Sequence, residues 1–364
     1  MTTLKSQVSA QDRAEIARLL RLGRPIQNLS LAGFDAQGED FSAAVFTHCN
    51  LSGSCWSRAQ LEGATFIDCE LVNADFSDVT VKRLAFFNNR MQASQWNNLQ
   101  GAMLSFTQCE LSHSQWQHAK LEKSMFSDCN LSASQWQQSD LLRTAFAGGA
   151  WRASQWQGAQ LNHVMLNEAD LREANLAGMS AHTSLFIKAD FRGQQLPGAS
   201  LVRCTFIGAN FSNANLNGAD LKECNFGEAI FVDCDLTDIK ASGSQFVKAK
   251  LNRVLLDRAE LEGAVLFKAK LLAVTLRDAR LVKTVWDHSQ HQQVSMANSN
   301  LQFARFVHAR GVDMDFRNCQ FERANFHQAH WLRADFTEAS LDTARPTDPA
   351  RTQAEKRSLE MEIA

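Results

Sequence analysis

Ala209-Asn210-Phe211-Ser212-Asn213-Ala214-Asn215-Leu216-Asn217-Gly218-Ala219-Asp220-Leu221 carries a large apolar residue at every fifth position and a small one two places before each. Stepping outward by five from Phe211 reaches Phe41 in one direction and Leu341 in the other, 61 positions without a slip. Of these, 25 are Leu, 20 Phe, 8 Trp, 2 Met and 1 Val, so only five depart from the pattern. The slot two residues earlier holds Ala, Ser, Cys, Thr, Val or Gly in 52 of the 61 cases, from Ala44 and Cys49 to Ala334 and Ala339. Neither the two-residue period of a strand nor the 3.6-residue period of a helix produces this register. Two inward positions in five suit a square coil. Each pentapeptide forms one side, the large residue fills the centre, and the small one packs the corner.

Segments such as Ala209 to Leu216 and Ala219-Asp220-Leu221 resemble the consensus of the pentapeptide-repeat family. The resemblance covers roughly residues 29–345. It implies an all-β solenoid, a right-handed quadrilateral β-helix. Four pentapeptides per coil predict a 20-residue higher-order repeat, and one is present. Ser94-Gln95-Trp96 recurs as Ser114-Gln115-Trp116, Ser134-Gln135-Trp136 and Ser154-Gln155-Trp156. Phe46, Phe66, Phe86, Phe106, Phe126 and Phe146 form a second ladder at the same spacing. The 61 pentapeptides make about 15 coils, roughly 70 Å at the usual strand spacing. Several departures compensate one another. Leu99 in a small slot precedes Gly101 in a large one, and Met179 with Ala181 and Ile239 with Ala241 repeat the exchange, which conserves volume in each layer.

A solenoid exposes an unpaired edge at each end, so helical caps are expected. Residues 1–28 form an amino-terminal segment. In it Ser9 to Leu22 reads as a helix, with Ser9 as N-cap, Asp12 in the first turn and Ile16, Leu19 and Leu20 on one face. Pro346 occupies a large slot and ends the repeat at about 345. Asp348 and Pro349 then start a second helix in the tail, residues 346–364, which serves as a cap or as a homodimer contact. Residues 1–23 contain no apolar run of the signal-peptide kind, and no stretch approaches the ~18 apolar residues of a membrane span. The expectation is a cytoplasmic protein with no membrane insertion.

Phosphate loops, dinucleotide fingerprints and His-Glu-x-x-His are absent, and no convergent catalytic set is visible, so no enzyme activity, cofactor or metal is expected. Eight of the nine cysteines fall in small inward slots and read as corner packing. His291 falls in a large inward slot with Gly311 one coil above, and reads as a core histidine. His288-x-x-His291 and His327-x-x-His330 have suggestive spacing, but the frame splits the first pair between outside and inside.

Function then rests on outward columns. One corner is acidic at first, through Asp68, Glu70, Glu110 and Asp128, and turns basic later. Lys248 and Lys250 are followed one coil on by Lys268 and Lys270, then His288, His308 with Arg310, and His330. Residues 29–80 hold eight acids and one base, whereas residues 240–283 hold ten bases and four acids. Net charge is only −2, so the asymmetry is local. Beside the corner runs an outward apolar column that includes Ile187, Ile207, Val247, Phe267 and Val307.

These features favour a non-catalytic scaffold that offers a charge-polarised surface to another protein. The family resemblance implies a bacterial setting, including accessories or effectors of secretion systems such as type VI. It also implies a second reading, gyrase protection by DNA mimicry, from which the chain departs in its length, its neutral net charge and its basic final third. Nucleic-acid binding through the Lys248–Arg310 stripe is a third reading, weakened by nearby acids and by the lack of exposed aromatics on that face.

Overall fold

A computed structural model describes residues 9–363; residues 1–8 of the amino-terminal segment lie outside the described residues. The chain forms two compact units, residues up to Phe186 and residues from Ile187. Each is a parallel β-solenoid, and together they contain about 16 turns. The register begins at Ile26, three pentapeptides before Phe41, with Ile26 pairing with Phe46. The frame is hidden there because Phe34 takes a small slot and Ala36 the following large one. Both are buried, the same exchange of volume as at Leu99 and Gly101.

In the first unit every pairing joins a residue to the one 20 places on, as in Phe46↔Phe66, Thr65↔Ala85 and Asp140↔Gln160. Like therefore stacks on like. Phe46 and Phe66 lie parallel at 4.9 Å, as do Phe86 and Phe106 at the same distance. Trp56, Phe76, Trp96, Trp116, Trp136 and Trp156 form the second stack, with Trp96 and Trp116 at 4.8 Å and Trp116 and Trp136 at 4.7 Å. The two stacks meet edge to face, as at Trp96 and Phe106, 5.3 Å apart, the arrangement that the ring quadrupoles favour.

Each buried indole brings an N–H that needs an acceptor. For the tryptophans of the second stack the serine two places earlier, in the small corner slot, supplies it. Trp96 Nε1 donates to Ser94 Oγ, Trp116 Nε1 to Ser114 Oγ and Trp136 Nε1 to Ser134 Oγ, each at 2.8 Å. In the second unit Trp286 Nε1 uses Thr284 Oγ1 in the same way. The Ser-Gln-Trp recurrence is thus a hydrogen-bond unit as well as a packing unit.

Helix α1 spans Ala10–Arg21, and its N-cap Ser9 accepts from the Asp12 N–H. Ile16 is buried, and Arg13 pairs with Glu39 and lies over the Phe34 ring. The helix therefore sits against the first coil. The strand register runs unbroken through Thr80↔Gln100 and Gln100↔Lys120. The space left by Gly101 is filled by Leu104, whose Cδ1 lies 2.6 Å from where a Cβ would stand.

The second unit follows the same rule. Phe206 and Phe226 stack at 5.1 Å and Phe211 and Phe231 at 5.2 Å. Six strands pair in the order Ile230–Val232, Lys250–Asn252, Lys270–Leu272, Gln290–Ser295, Arg310–Asp315, His330–Asp335. Helix α2 spans Pro349–Ile363, with Asp348 accepting from the Arg351 N–H.

Replacing Ser114 by Ala leaves the Trp116 indole N–H buried without an acceptor. A loss of about 1–3 kcal/mol is expected, against about 0.5 kcal/mol or less for Ser112→Ala on the surface. Urea unfolding followed by tryptophan fluorescence separates the two.

Candidate functional site

The strand register of the second unit stacks Ile230, Lys250, Lys270, Gln290, Arg310 and His330 in one row. Across the corner, turn residues Glu228, Lys248, Lys268, His288, His308 and Gln328 form a parallel row. They are linked coil to coil by main-chain bonds such as Lys248 N to Phe267 O and His288 N to Val307 O. Between the rows lie the buried small residues Ala249, Ala269, Ser289 and Ala309. Two rows of long side chains flanking a line of small ones make a groove. Its volume is about 770 Å³, and its walls include Lys248, Lys250, Lys268, Lys270, Arg310 and His330. The basic residues singled out in the sequence therefore line one contiguous groove, together with Glu228, Gln290 and Gln328.

The charges in this groove are poorly compensated. Elsewhere in the second unit, several arginines meet an acid one coil away: Arg203–Glu223 at 2.8 Å, Arg258–Asp238 at 2.7 Å, Arg277–Asp257 and Arg333–Asp313 at 2.6 Å. In the groove, Lys248 reaches Glu228 at 3.2 Å, and Lys268 Nζ lies over the Phe267 ring at 5.0 Å. Among the described residues Lys250, Lys270 and Arg310 have no acid within ion-pairing distance. His288 and His308 stack at 4.8 Å. Burial, then the neighbouring His308, holds the His288 imidazole below its usual range, so it is mainly neutral at pH 7.

At the carboxy-terminal end of the groove α2 contributes a carboxylate. Glu355 Oε2 accepts from His327 Nε2 at 3.1 Å and lies 3.4 Å from His308 Nε2. His327 Nδ1 accepts the Asp348 N–H at 3.1 Å, which places the His327 proton on Nε2, toward Glu355. Gln328 Nε2 donates to Thr352 Oγ1 and the Gln328 N–H to Thr347 Oγ. The His308, His327 and Glu355 donor atoms lie within 4.8 Å of one another, a spacing compatible with a metal. The His327 tautomer instead makes them a hydrogen-bonded clasp for α2, because a metal at Nε2 would move the ring proton to Nδ1, where it would face the Asp348 N–H donor. His327-x-x-His330 does not act as a pair: His327 is buried against the helix and His330 is exposed in the groove.

A second trough of about 880 Å³ lies on the other side of the Lys250–His330 row. The apolar residues Leu272, Val312 and Leu332 line it, Leu332 being 58% exposed. The apolar column expected from the sequence lies on the opposite flank and needs correction. Ile207 is 37% exposed, and Ile187, Val247 and Phe267 are half-buried. Val307 is buried: its N–H donates to Asp287 Oδ1, and α2 lies against the neighbouring His308 and His327.

The acidic corner of the first unit is also less one-sided than its sequence reading. Arg90 stacks between Glu70 and Glu110 and pairs with Glu70 at 3.2 Å. Asp68 accepts from Asn88 Nδ2 at 2.7 Å and lies 3.7 Å from His48, and Glu110 accepts from Asn130 Nδ2. Among the four acids singled out there, the structure adds no cationic partner for Asp128.

A family model described as a pentapeptide repeat region matches residues 39–116, 102–176, 179–261 and 269–345. The chain belongs to the pentapeptide-repeat family. A second model, of pentapeptide repeats in 8 copies, matches 244–282, the stretch that carries the four groove lysines. No protein of curated function matches the chain. Among solved structures, trypsin-treated QnrB1, a plasmid-mediated fluoroquinolone resistance protein, is similar over 59% of this chain and 83% of its own, at 20% identity and a TM-score of 0.23. HetL, involved in heterocyst differentiation regulation in the cyanobacterium Nostoc sp. strain PCC 7120, is similar over 92% of this chain and 97% of its own, at 15% identity and a TM-score of 0.14. Neither likeness assigns a ligand or partner to this chain.

The remaining sequence candidates are packing groups. The eight small-slot cysteines are buried free thiols, and burial pushes Cys234 up to about 11 and Cys319 up to about 12, which keeps both protonated. His291 is buried, with Nε2 at 2.7 Å from Ser289 Oγ, and that hydroxyl donates to the Trp286 carbonyl. Nε2 therefore carries the proton, and Nδ1 has no partner. The space above His291 at Gly311 is taken by Trp331, whose ring carbons stand 2.6 and 2.7 Å from where a Cβ would be.

Burial lowers the His291 pKa from 6.5 to about 3. The unfolded chain binds this proton near 6.5 and the fold only near 3, so stability is lost as pH falls through that window. His291→Leu is expected to flatten this part of the acid sensitivity. Urea midpoints above and within the window check it.

Proposed function

We propose that the protein is a non-catalytic interaction scaffold and that the cationic groove of its second unit docks an acidic segment of another protein. The observation that carries this reading is the stack of cations on cations at Lys248/Lys250 and Lys268/Lys270, on a surface where several arginines, among them Arg203, Arg258, Arg277 and Arg333, are neutralised from the next coil. Two like charges about 4.8 Å apart repel by about 1 kcal/mol even in water. A partner carboxylate between coils reverses the sign of that term. The lysines stand on a hydrogen-bonded coil, so docking orders little backbone and steering by the summed field is direct. Pentapeptide-repeat β-helix proteins are generally non-catalytic, in keeping with a surface role. Support for a place beside a secretion system comes from family resemblance alone. The DNA-mimic reading is weakened by Arg90 within the acidic rows.

The test is fluorescence anisotropy with labelled poly-glutamate and the Lys250→Glu/Lys270→Glu variant of the full chain. Wild-type binding that weakens with salt, and a loss of about tenfold or more in the variant, is the expected result. Equal binding by both proteins, or a stronger wild-type preference for single-stranded DNA of matched charge, overturns the reading.

A further inference from the structure

The groove has a pitch, and pitch discriminates among acidic partners. Successive coils place their groove side chains ~4.8 Å apart along the stacking direction, with cations on the first, second and fourth rungs and the neutral His288 and Gln290 on the third. Its rungs are Lys248 with Lys250, Lys268 with Lys270, His288 with Gln290, and His308 with Arg310. Three steps carry the first rung to the fourth, ~14.4 Å away. An α-helix rises 1.5 Å per residue, so side chains at i, i+3, i+7 and i+10 stand at about 0, 4.5, 10.5 and 15 Å. Each lies within about 1 Å of a rung. An extended strand presents one face every second residue, ~6.7 Å apart, and its fourth such side chain stands ~20 Å from the first. It is out of register by more than a full coil.

Helix α2 brings one helical carboxylate to the end of this corner. Glu355 Oε2 lies 3.4 Å from His308 Nε2 of the fourth rung and 3.1 Å from His327 Nε2 of the flanking Val307 column. A carboxylate carried on a helix and received between coils is therefore a contact made beside this groove. The rungs at Lys268 with Lys270 and Lys248 with Lys250 offer stronger charge for such a contact. Leu272 and Leu332 in the neighbouring trough are exposed and offer apolar contact to one flank of a helix lying along the row.

We infer that the partner is an acidic α-helix lying along the stacking direction, with carboxylates on one face at i, i+3, i+7 and i+10, which the groove recognises by matching coil rise to helix rise. This inference rests on the reading of the groove as a docking site for acidic protein segments. Lys268 and Lys270 receive the second carboxylate, and Arg310 the fourth.

Two end-blocked peptides of identical composition and net charge distinguish the cases. One carries its four glutamates at i, i+3, i+7 and i+10 in an alanine- and glutamine-rich helix; the other carries them at alternate residues. Anisotropy against the full-length protein reads affinity, and circular dichroism reads helix content on binding. The expected result is tighter binding of the helix-patterned peptide by about tenfold or more, with helicity rising on binding. The Lys250→Glu/Lys270→Glu variant is expected to abolish the preference. Equal affinities, or a preference for the alternating peptide, overturn the helix inference while leaving the acidic groove in place. Failure of both peptides to bind removes the groove reading as well. Tighter binding of single-stranded DNA than of either peptide also overturns both.

Discussion

Every residue of the repeat lies against the one 20 places before it and the one 20 places after it within each unit. This parallel register is the constraint from which the rest follows. A buried ring is dispersed well only if the next coil supplies a ring in the same place, so Phe46 and Phe66 stack, as do Trp116 and Trp136. A polar atom brought inside by such a ring must be satisfied within its own pentapeptide, and the corner serine before each stacked tryptophan does this. The interior tolerates exchange between neighbouring slots, as at Phe34 and Ala36 or at Gly101, whose space Leu104 fills, because the layer conserves volume and the register stays intact.

The same register makes the surface cumulative. An isolated exposed ion pair contributes little, but a column repeats its chemistry every coil at a spacing shorter than the Debye length. Several columns of the second unit alternate sign, and the Arg–Asp pairs one coil apart are the result. The groove column does not alternate. Its field is built from the absence of alternation together with the small corner residues that leave room between the two rows. Solenoid geometry thus turns a local sequence choice, lysine stacked on lysine, into an extended cationic groove with a defined pitch.

Helix α2 shows how the ends and the site are connected. It is anchored by His327, Gln328 and His308, residues at the end of the same corner that forms the groove. The apolar column beside the corner changes character there, and Val307 and His327 are buried. The end helix therefore docks on His308 of the groove row and on His327 of the column beside it.

The sequence by itself determined the period, the inward and outward assignment of nearly every residue, the two aromatic ladders, both helices and the residues of the basic corner. It could do so because a five-residue period without insertions leaves one register, and a 20-residue recurrence leaves one stacking partner. What only the tertiary structure decided depends on groups outside that arithmetic. The first coil before Phe41 was hidden by a swap of slots. The Glu355 clasp comes from a helix that no repeat frame places, and the burial of Val307 is not marked in the period. The neutralising role of Arg90 was in principle legible, since it stands 20 residues from both Glu70 and Glu110, but charge totals by segment concealed it. The groove itself needed the three-dimensional corner, because a column of charges becomes a site only where the residues between its rows are small.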